Sequence, residues 1–476
     1  MSAQIPSGST TGTRITVPRA LAAMFGGDLI TPDHARYDEA RSLYNGMHDK
    51  RPALIARCTS VADVQAALAY ARAERLVVAV RGGGHSTPGY SSCDGGVVID
   101  VGRMKSVEID VAGRRGRFGA GLTLGEFDAA TQEHGLTVTV GRVTHTGLAG
   151  LTLGSGSGWL ERKLGPTCAS LISAEVVTAD GNVVRASETE NAELLWGLKG
   201  GGGNFGVVTE FELRLHPLGP IVYAGMILHP RSAAPELLRF YRDFIEEAPD
   251  EICGAVALIT APPEDFVPED ARLKPACGMI VLYAGDPAKG EEALRPLVEY
   301  GEPLVKMVQP MPYTAVQQML DPSHAWGQRE YARVDFLEAL PDEAIDAMIA
   351  SAGATPSPFT EVILCPQGGA MARLDRQAMA GAFPDAPWLY FCLSQWWDPS
   401  VNEPNIAWAR SFTETMRPWS VGKAPPNFIA ADEGSARLRA SYGDEKYERL
   451  VALKDKYDPD NVFALNLNIA PSKTTG

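Results

Sequence analysis

His85 is the side chain whose type and setting most invite chemistry: it follows the run Arg81-Gly82-Gly83-Gly84 and precedes Ser86, Thr87, Pro88 and Gly89. A neutral imidazole is a nitrogen nucleophile near physiological pH. Three consecutive glycines let the backbone bend sharply and bring bare N–H groups against an anion. Together they suit a cofactor gripped through its phosphates and also bonded to the histidine. A tight polar turn with a solvated histidine accounts for the same letters. A second run sets Gly147, Gly150, Gly154, Gly156 and Gly158 in close succession, although each glycine costs roughly 0.5–1 kcal/mol relative to alanine inside a regular element. Either a flat or phosphorylated group or another stretch of chain must approach that backbone. In the strand-like run 389–396, period-two alternation puts Leu389, Phe391 and Leu393 on one side and Tyr390, Cys392, Ser394 and Trp396 on the other. The first set reads as core, the second as a pocket wall or a half-solvated face.

These residues need elements to hold them. The apolar run 76–80 reads as a buried parallel strand that delivers the first glycine loop. A strand at 53–56 precedes it, then a helix opened by Ser60 and Asp63 as a capping box, with Val64, Ala67, Leu68 and Ala71 on one face. A further strand spans 95–100, a hairpin turns at 111–114, and Thr123 with Glu126 opens a helix that Gly135 closes. Asp180-Gly181 marks another hairpin. The segment Gly201-Gly202-Gly203-Asn204-Phe205-Gly206 matches G-x-G-x-x-G, but a helix-like stretch precedes it and an alternating strand, 207–213, follows. That reverses the order a nicotinamide dinucleotide fold requires and excludes it. From about Pro217 prolines become frequent. Strands at 221–228, 279–283, 332–336, 361–364 and 388–397 alternate with amphipathic helices such as 236–247. This pattern predicts an antiparallel sheet covered on one face, its other face meeting the first part of the chain.

A chain of 476 residues is long enough for two or three domains. Its 58 acidic against 43 basic residues give a net charge of −15, which argues against nucleic acid or an anionic membrane as a partner. No apolar run has the length of a membrane span, and the Ser/Thr/Gly-rich stretch 1–16 reads as a flexible arm without the pattern of a secretory signal. Seven scattered cysteines, never in C-x-x-C spacing, disfavour a disulfide framework and fit a reducing, cytoplasmic setting. The eight histidines show no metal-binding spacing.

Four stretches in order carry a resemblance: the loop 81–86, the run 147–158, the segment 200–208, and the terminal Tyr457-Asp458-Pro459-Asp460-Asn461-Val462-Phe463 with Asn466 and Asn468. From about Tyr37 to its end the chain resembles the FAD-linked oxidases of the berberine bridge enzyme type, bacterial members included, within the wider vanillyl-alcohol oxidase fold. The resemblance implies an α+β fold: a two-subdomain FAD-binding domain of the p-cresol methylhydroxylase (PCMH) type, with an inserted substrate domain of antiparallel sheet covered by helices. The expected division is an arm and lead-in over 1–36, FAD-binding parts over 37–218 and 431–476, and a substrate domain over 219–430. Cofactor-binding positions implied are Arg81, Gly82, Gly83, Gly84, His85, Ser86, Gly89, Val143, Thr146, Gly147, Gly150, Gly154, Gly158, Gly206, Val208, Asn466 and Asn468.

The same resemblance implies FAD bonded through His85 alone, because Val143 stands where many relatives carry a second, cysteinyl link and Cys168 lies too far along. It implies a small-molecule alcohol or amine as hydride donor, O2 as acceptor giving H2O2, no metal, and a monomer or homodimer. Thr146, small where a bulky residue blocks O2 in some relatives, favours an oxidase. Two departures concern the base: Cys392 stands where plant members carry Glu or Gln, and Pro425-Pro426-Asn427-Phe428 replaces a Tyr-x-Asn-Phe motif. Tyr390, on the same expected face as Cys392 and Ser394, is then the substitute, since a phenol with a lowered pKa accepts a proton. A dehydrogenase with another acceptor and a flavin-binding protein without turnover are the alternative readings.

Overall fold

In the computed structural model, which describes residues 17–473, short apolar strands and capped helices build the first half; the expected arm at 1–16 lies outside the described residues. Ser60 Oγ accepts the Asp63 amide at 3.2 Å and starts the helix Val61–Ala73, whose buried face is Asp63, Val64, Ala67, Leu68 and Ala71. The Asp63 carboxylate does not return to Ser60 as a capping box requires. It accepts instead from the amides of Gly26 and Thr59 (2.7 and 2.8 Å), tying down the lead-in segment. The second expected box does form, Thr123 and Glu126 capping Leu124–Gln132 reciprocally. Gly135 follows at φ +61°, a left-handed turn that glycine adopts without strain.

Two sheets share one core with these helices. The first, in order Asp28–Ile30, Leu54–Arg57, Val97–Asp100, Val78–Arg81, is parallel across its last three strands. Loops at the carboxyl ends of such strands form a crevice suited to ligands, and the loop carrying His85 leaves from there. The second, in order Val107–Asp110, Arg115–Gly119, Val207–Arg214, Leu171–Val177, Val183–Ser187, is antiparallel and contains both expected hairpins. The helix Ala192–Leu198 precedes the strand Val207–Arg214, so the G-x-G-x-x-G segment sits in the expected non-Rossmann order. The last helix, Asp444–Tyr457, returns to this core through Leu450, Leu453 and Tyr457. Its fully buried Lys454 ammonium reaches Asp458 Oδ2 (2.6 Å) and the carbonyls of Asn204 and Phe463 (3.0 and 3.1 Å), which satisfies all three donors.

Apart from a short antiparallel pairing of Leu136–Thr137 with His216–Pro217, the remaining strands form one seven-stranded antiparallel sheet, in order Val305–Pro312, Ile221–Pro230, Pro275–Tyr283, Ile252–Thr260, Glu361–Pro366, Trp388–Trp396, Arg329–Leu337. The helices Ala234–Glu247, Asp342–Gly353 and Asn402–Met416 cover one face. The other face, with Val222, Phe336, Leu389, Phe391 and Leu393, looks onto the first half. The alternation read along 389–396 is therefore real, but its two sides are exchanged. Tyr390, Cys392 and Trp396 lie in the helix-covered core, Tyr390 edge-on to Phe412 (5.4 Å), and Ser394 Oγ donates to the Asn405 carbonyl (3.3 Å). A strand buried on both faces gives period two without saying which side meets the cavity. Among the described residues no helix is long and apolar enough to cross a membrane.

One polar pin joins the two halves. Gln317 Nε2 donates to Asp128 Oδ2 and to the Gly141 carbonyl, both at 3.1 Å. Asp128 is fully buried, and desolvation pushes its carboxyl up to about 7. Its folded pKa thus exceeds an unfolded value near 3.9. The neutral form favours the fold, and stability is lost as pH rises from about 4 through 7 and then levels. Thermal melts of the wild type and Asp128→Asn across pH 4–9 check this. The variant should gain relative stability over that window, by on the order of 4 kcal/mol, and hold a constant lead above it.

Candidate functional site

A cavity of about 330 Å³ opens between the glycine loops and the free face of the large sheet. Its first wall is the backbone of Gly82, Gly83 and Gly84 with His85 and Ser86; Val143, Thr146, Gly147 and Gly150 form the second. Gly206, Val208 and Asn466 continue the lining, and Ile363, Phe391 and Leu393 close it from the sheet.

The glycines divide by what touches them. A Cβ on Gly83 would lie 2.2 Å from the Gly147 amide nitrogen, and one on Gly147 would lie 2.3 Å from that of Gly83, so the two loops meet backbone to backbone. Gly158 packs so closely on the Val140 carbonyl that a Cβ there would overlap it, and Gly156 is set likewise against Thr167 and Gly154 against Asn427. Gly150 and Gly203 have nothing within 4 Å of such a Cβ, and both line the cavity. Chain-on-chain packing therefore accounts for most of the run, and approach by a ligand for Gly150.

His85 stands at one end of this space. Tyr44 stacks on its ring (4.1 Å between centroids, 10° between planes), and Trp326 meets it edge-on at 6.0 Å. His85 Nε2 lies 2.7 Å from His145 Nδ1, and His145 Nε2 lies 3.0 Å from the His324 carbonyl. A carbonyl only accepts, so His145 Nε2 bears the proton. Burial holds His145 below its ordinary pKa and pushes His85 well below, helped there by the neighbouring His145 and His324. Both rings are therefore neutral. His145 Nδ1 must then accept from His85 Nε2, which leaves the lone pair on His85 Nδ1, where it can accept a long hydrogen bond from Thr146 Oγ1 (3.4 Å).

Beside this pair sits a carboxylate. Glu330 is only 8% exposed yet lines the cavity. Its Oε2 accepts from Gln395 Nε2 (3.0 Å) and Tyr44 Oη (3.3 Å), and its Oε1 has no donor among the described residues. The phenol of Tyr44 is held far above its ordinary range by burial and then by Glu330, so it remains a donor. His324 lines the same end, with Nε2 4.0 Å from Glu361 Oε2.

Several expected site residues are elsewhere. Tyr390, Cys392 and Ser394 lie behind the sheet; burial raises both the Tyr390 phenol and the Cys392 thiol, the opposite of what a base needs. Arg81 is buried in an ion pair with Asp100 (2.7 Å) and braces the strand ends. Gly89 packs on the His48 ring. Gly89, Gly154, Gly158 and Asn468 stand off the cavity wall, as does Cys168, buried among Met371, Met379 and Phe383. Sequence reasoning missed Tyr44, His145, His324 and Glu330. His145 alone offered a signal, two residues before Gly147.

The lining suits a large cofactor with phosphates and a flat polar ring. It offers glycine backbone with open space where a Cβ would stand, apolar side chains such as Val80, Val101 and Leu465, and the buried Asn466 Oδ1, which has no partner. Comparison with known proteins agrees. Residues 52–187 match the FAD binding domain family and residues 426–470 the berberine and berberine-like family. (R)-6-hydroxynicotine oxidase of Paenarthrobacter nicotinovorans is 31% identical over 467 residues, covering 94% of this chain and 97% of that protein. The crystal structure of 6-hydroxy-D-nicotine oxidase from Arthrobacter nicotinovorans superposes with a TM-score of 0.83 at 28% identity, covering 94% and 98% of the two chains. Physcomitrella patens BBE-like 1 has the same fold, with a TM-score of 0.85 at 23% identity over 96% of this chain and all of that one.

The two kinds of glycine separate by mutation. Gly147→Ala forces apart two backbones and should destabilise by roughly 1–3 kcal/mol, whereas Gly150→Ala, in the helix Leu148–Leu153, should raise the melting temperature of the apoprotein slightly and weaken FAD retention. Melting curves with and without FAD read both effects.

Proposed function

Because this chain belongs to the family of FAD-linked oxidoreductases that includes 6-hydroxynicotine oxidase, we propose that it oxidises a small alcohol or amine, uses O2 as acceptor and holds its FAD covalently through His85 alone. The observation that carries this reading is His85, a lining residue of a glycine-lined cavity, with its Nδ1 unprotonated and held only by a long contact to Thr146 Oγ1. Bound FAD supplies a two-electron acceptor for the substrate's C–H hydride, and an alkylated imidazole strengthens that pull. A single tether is supported by Val143 on the wall and by the absence of any thiol from the lining among the described residues. The lack of bulk at Thr146 supports O2 as acceptor, with H2O2 as product. In this reading 37–218 and 431–476 bind FAD and 219–430 bind substrate, on the free face of the large sheet.

The residues of this chain have three tasks here. Phe391, Leu393 and Ile363 present an apolar surface that excludes water from the reacting carbon. Tyr44 and Gln395 hold Glu330 from one oxygen and leave Oε1 open to the cavity. Glu330 thereby replaces Tyr390 as the group that takes the O–H or N–H proton, since a carboxylate within hydrogen-bond reach of the substrate acts as general base.

In air, without an added acceptor, a screen of alcohols and amines should find substrates oxidised with one H2O2 per turnover. Slow reoxidation in air would point to a dehydrogenase instead. His85→Ala should release its flavin on acid precipitation, whereas the wild-type pellet stays yellow. Glu330→Gln should keep tethered flavin but reduce it about 10²-fold more slowly under anaerobic mixing with substrate.

A further inference from the structure

The contact between His85 and His145 carries an inference that rests on the His85 tether proposed above. We propose that His145 is the positioning residue for that attachment: it holds His85 in the tautomer whose Nδ1 is nucleophilic and takes up the Nε2 proton as the bond forms. Three observations support it.

The first is the hydrogen-bond direction. The His324 carbonyl has no proton to give, so the 3.0 Å contact orients His145 with its proton on Nε2 and its lone pair on Nδ1, facing His85 at 2.7 Å. One carbonyl thus sets the proton positions on two rings.

The second is rigidity. Thr144, next in the chain, is clamped by Asp321, which accepts from its amide (2.8 Å) and its hydroxyl (2.5 Å). His324 is anchored in turn through Nδ1 on the Leu320 carbonyl (3.1 Å) and Ser323 Oγ (3.0 Å). His145 and the carbonyl that orients it therefore sit on two short segments pinned to each other.

The third is location. His85 lines the cavity and His145 does not. It therefore touches His85 without being part of the cavity lining.

The step balances as follows. The Nδ1 lone pair of His85 forms a bond to the methyl carbon at position 8 of the flavin ring, and that methyl group loses one hydrogen as a proton. The Nε2 proton of His85 passes to His145 Nδ1. The two electrons released leave through the ring to O2, which with the two protons becomes H2O2. The chain thus modifies itself, with O2 as the oxidant.

Full-length protein made in riboflavin-starved cells, incubated with FAD in air, tests this without any substrate. Fluorescence of the denatured protein band measures attachment, and equilibrium titration measures reversible binding. Two variants are compared: His145→Asn, whose amide oxygen still accepts from His85 but is not basic, and His145→Ala. Both should bind FAD reversibly within about threefold of the His85→Ala protein, which binds but cannot attach. Both should attach it about 10²-fold more slowly than the wild type, and added imidazole should speed His145→Ala but not His85→Ala. Attachment at the wild-type rate in both His145 variants overturns the assignment. So does loss of reversible FAD binding in both, since the role would then be structural. Wild-type protein that releases its flavin on denaturation instead overturns the tether itself, and this inference with it.

Discussion

The meeting of Gly83 with Gly147, backbone against backbone, is the constraint on which the site depends. Each loop comes from a different part of the first half, and neither carries a side chain at the point of contact. Only because the two chains approach this closely does the residue after one glycine loop, His85, come within hydrogen-bond distance of the residue before the other, His145. The same contact sets Thr146 beside His85 Nδ1 and leaves the neighbouring Gly150 facing open space. A single methyl group at either glycine would displace a loop whose other contacts are already close, because packed interiors do not deform smoothly.

Burial then decides the charge states. Desolvation together with two neighbouring histidines keeps the His85 ring neutral. Acidic groups do lie nearby, but each is engaged elsewhere: Asp321 on Thr144, Glu361 opposite His324, and Glu330 on Tyr44 and Gln395. The site is thus polar without a strong field at its nucleophile, an arrangement that favours lone pairs over cations. Lys454 shows the contrasting solution. It is buried as deeply but is given a carboxylate and two carbonyls, and so can remain an ion where it ties the C-terminal helix to the first half.

Much of this was legible in the sequence, for reasons that differ by residue. Val64, Ala67, Leu68 and Ala71 line one helix face because a capped helix in a core leaves them no other place. Asp180-Gly181 turns where it must. Strand Val305–Pro312 was hidden by prolines at 310 and 312, which an edge strand tolerates and a central one does not. The small-residue strand Ile252–Thr260 gave no alternation to read, being buried for most of its length on both faces. The pocket face of Trp388–Trp396 was inverted because aromatic residues with polar tips suit a helix-packed core as well as a cavity wall. Tyr44, His324 and Glu330 were invisible because no spacing links them to His85. Three separate segments bring them together only once folded.

The free face of the large sheet also carries Glu330, the proton acceptor proposed above, one strand away from the strand to which the resemblance pointed. Glu330 pairs with Gln395 across neighbouring strands, and Glu361 pairs with Leu393 on the other side. On one face of an antiparallel sheet, paired positions hold side chains only about 5 Å apart. A carboxylate can therefore move one strand sideways and still serve the same cavity, while the position it vacates becomes apolar. Here Phe391 and Leu393 form an apolar wall, and Glu330 stands at the end of the adjacent strand, where Tyr44 from the first half donates to it. Glu330 is then held by both halves of the molecule, so its placement depends on their seating against each other as much as on the strand that carries it.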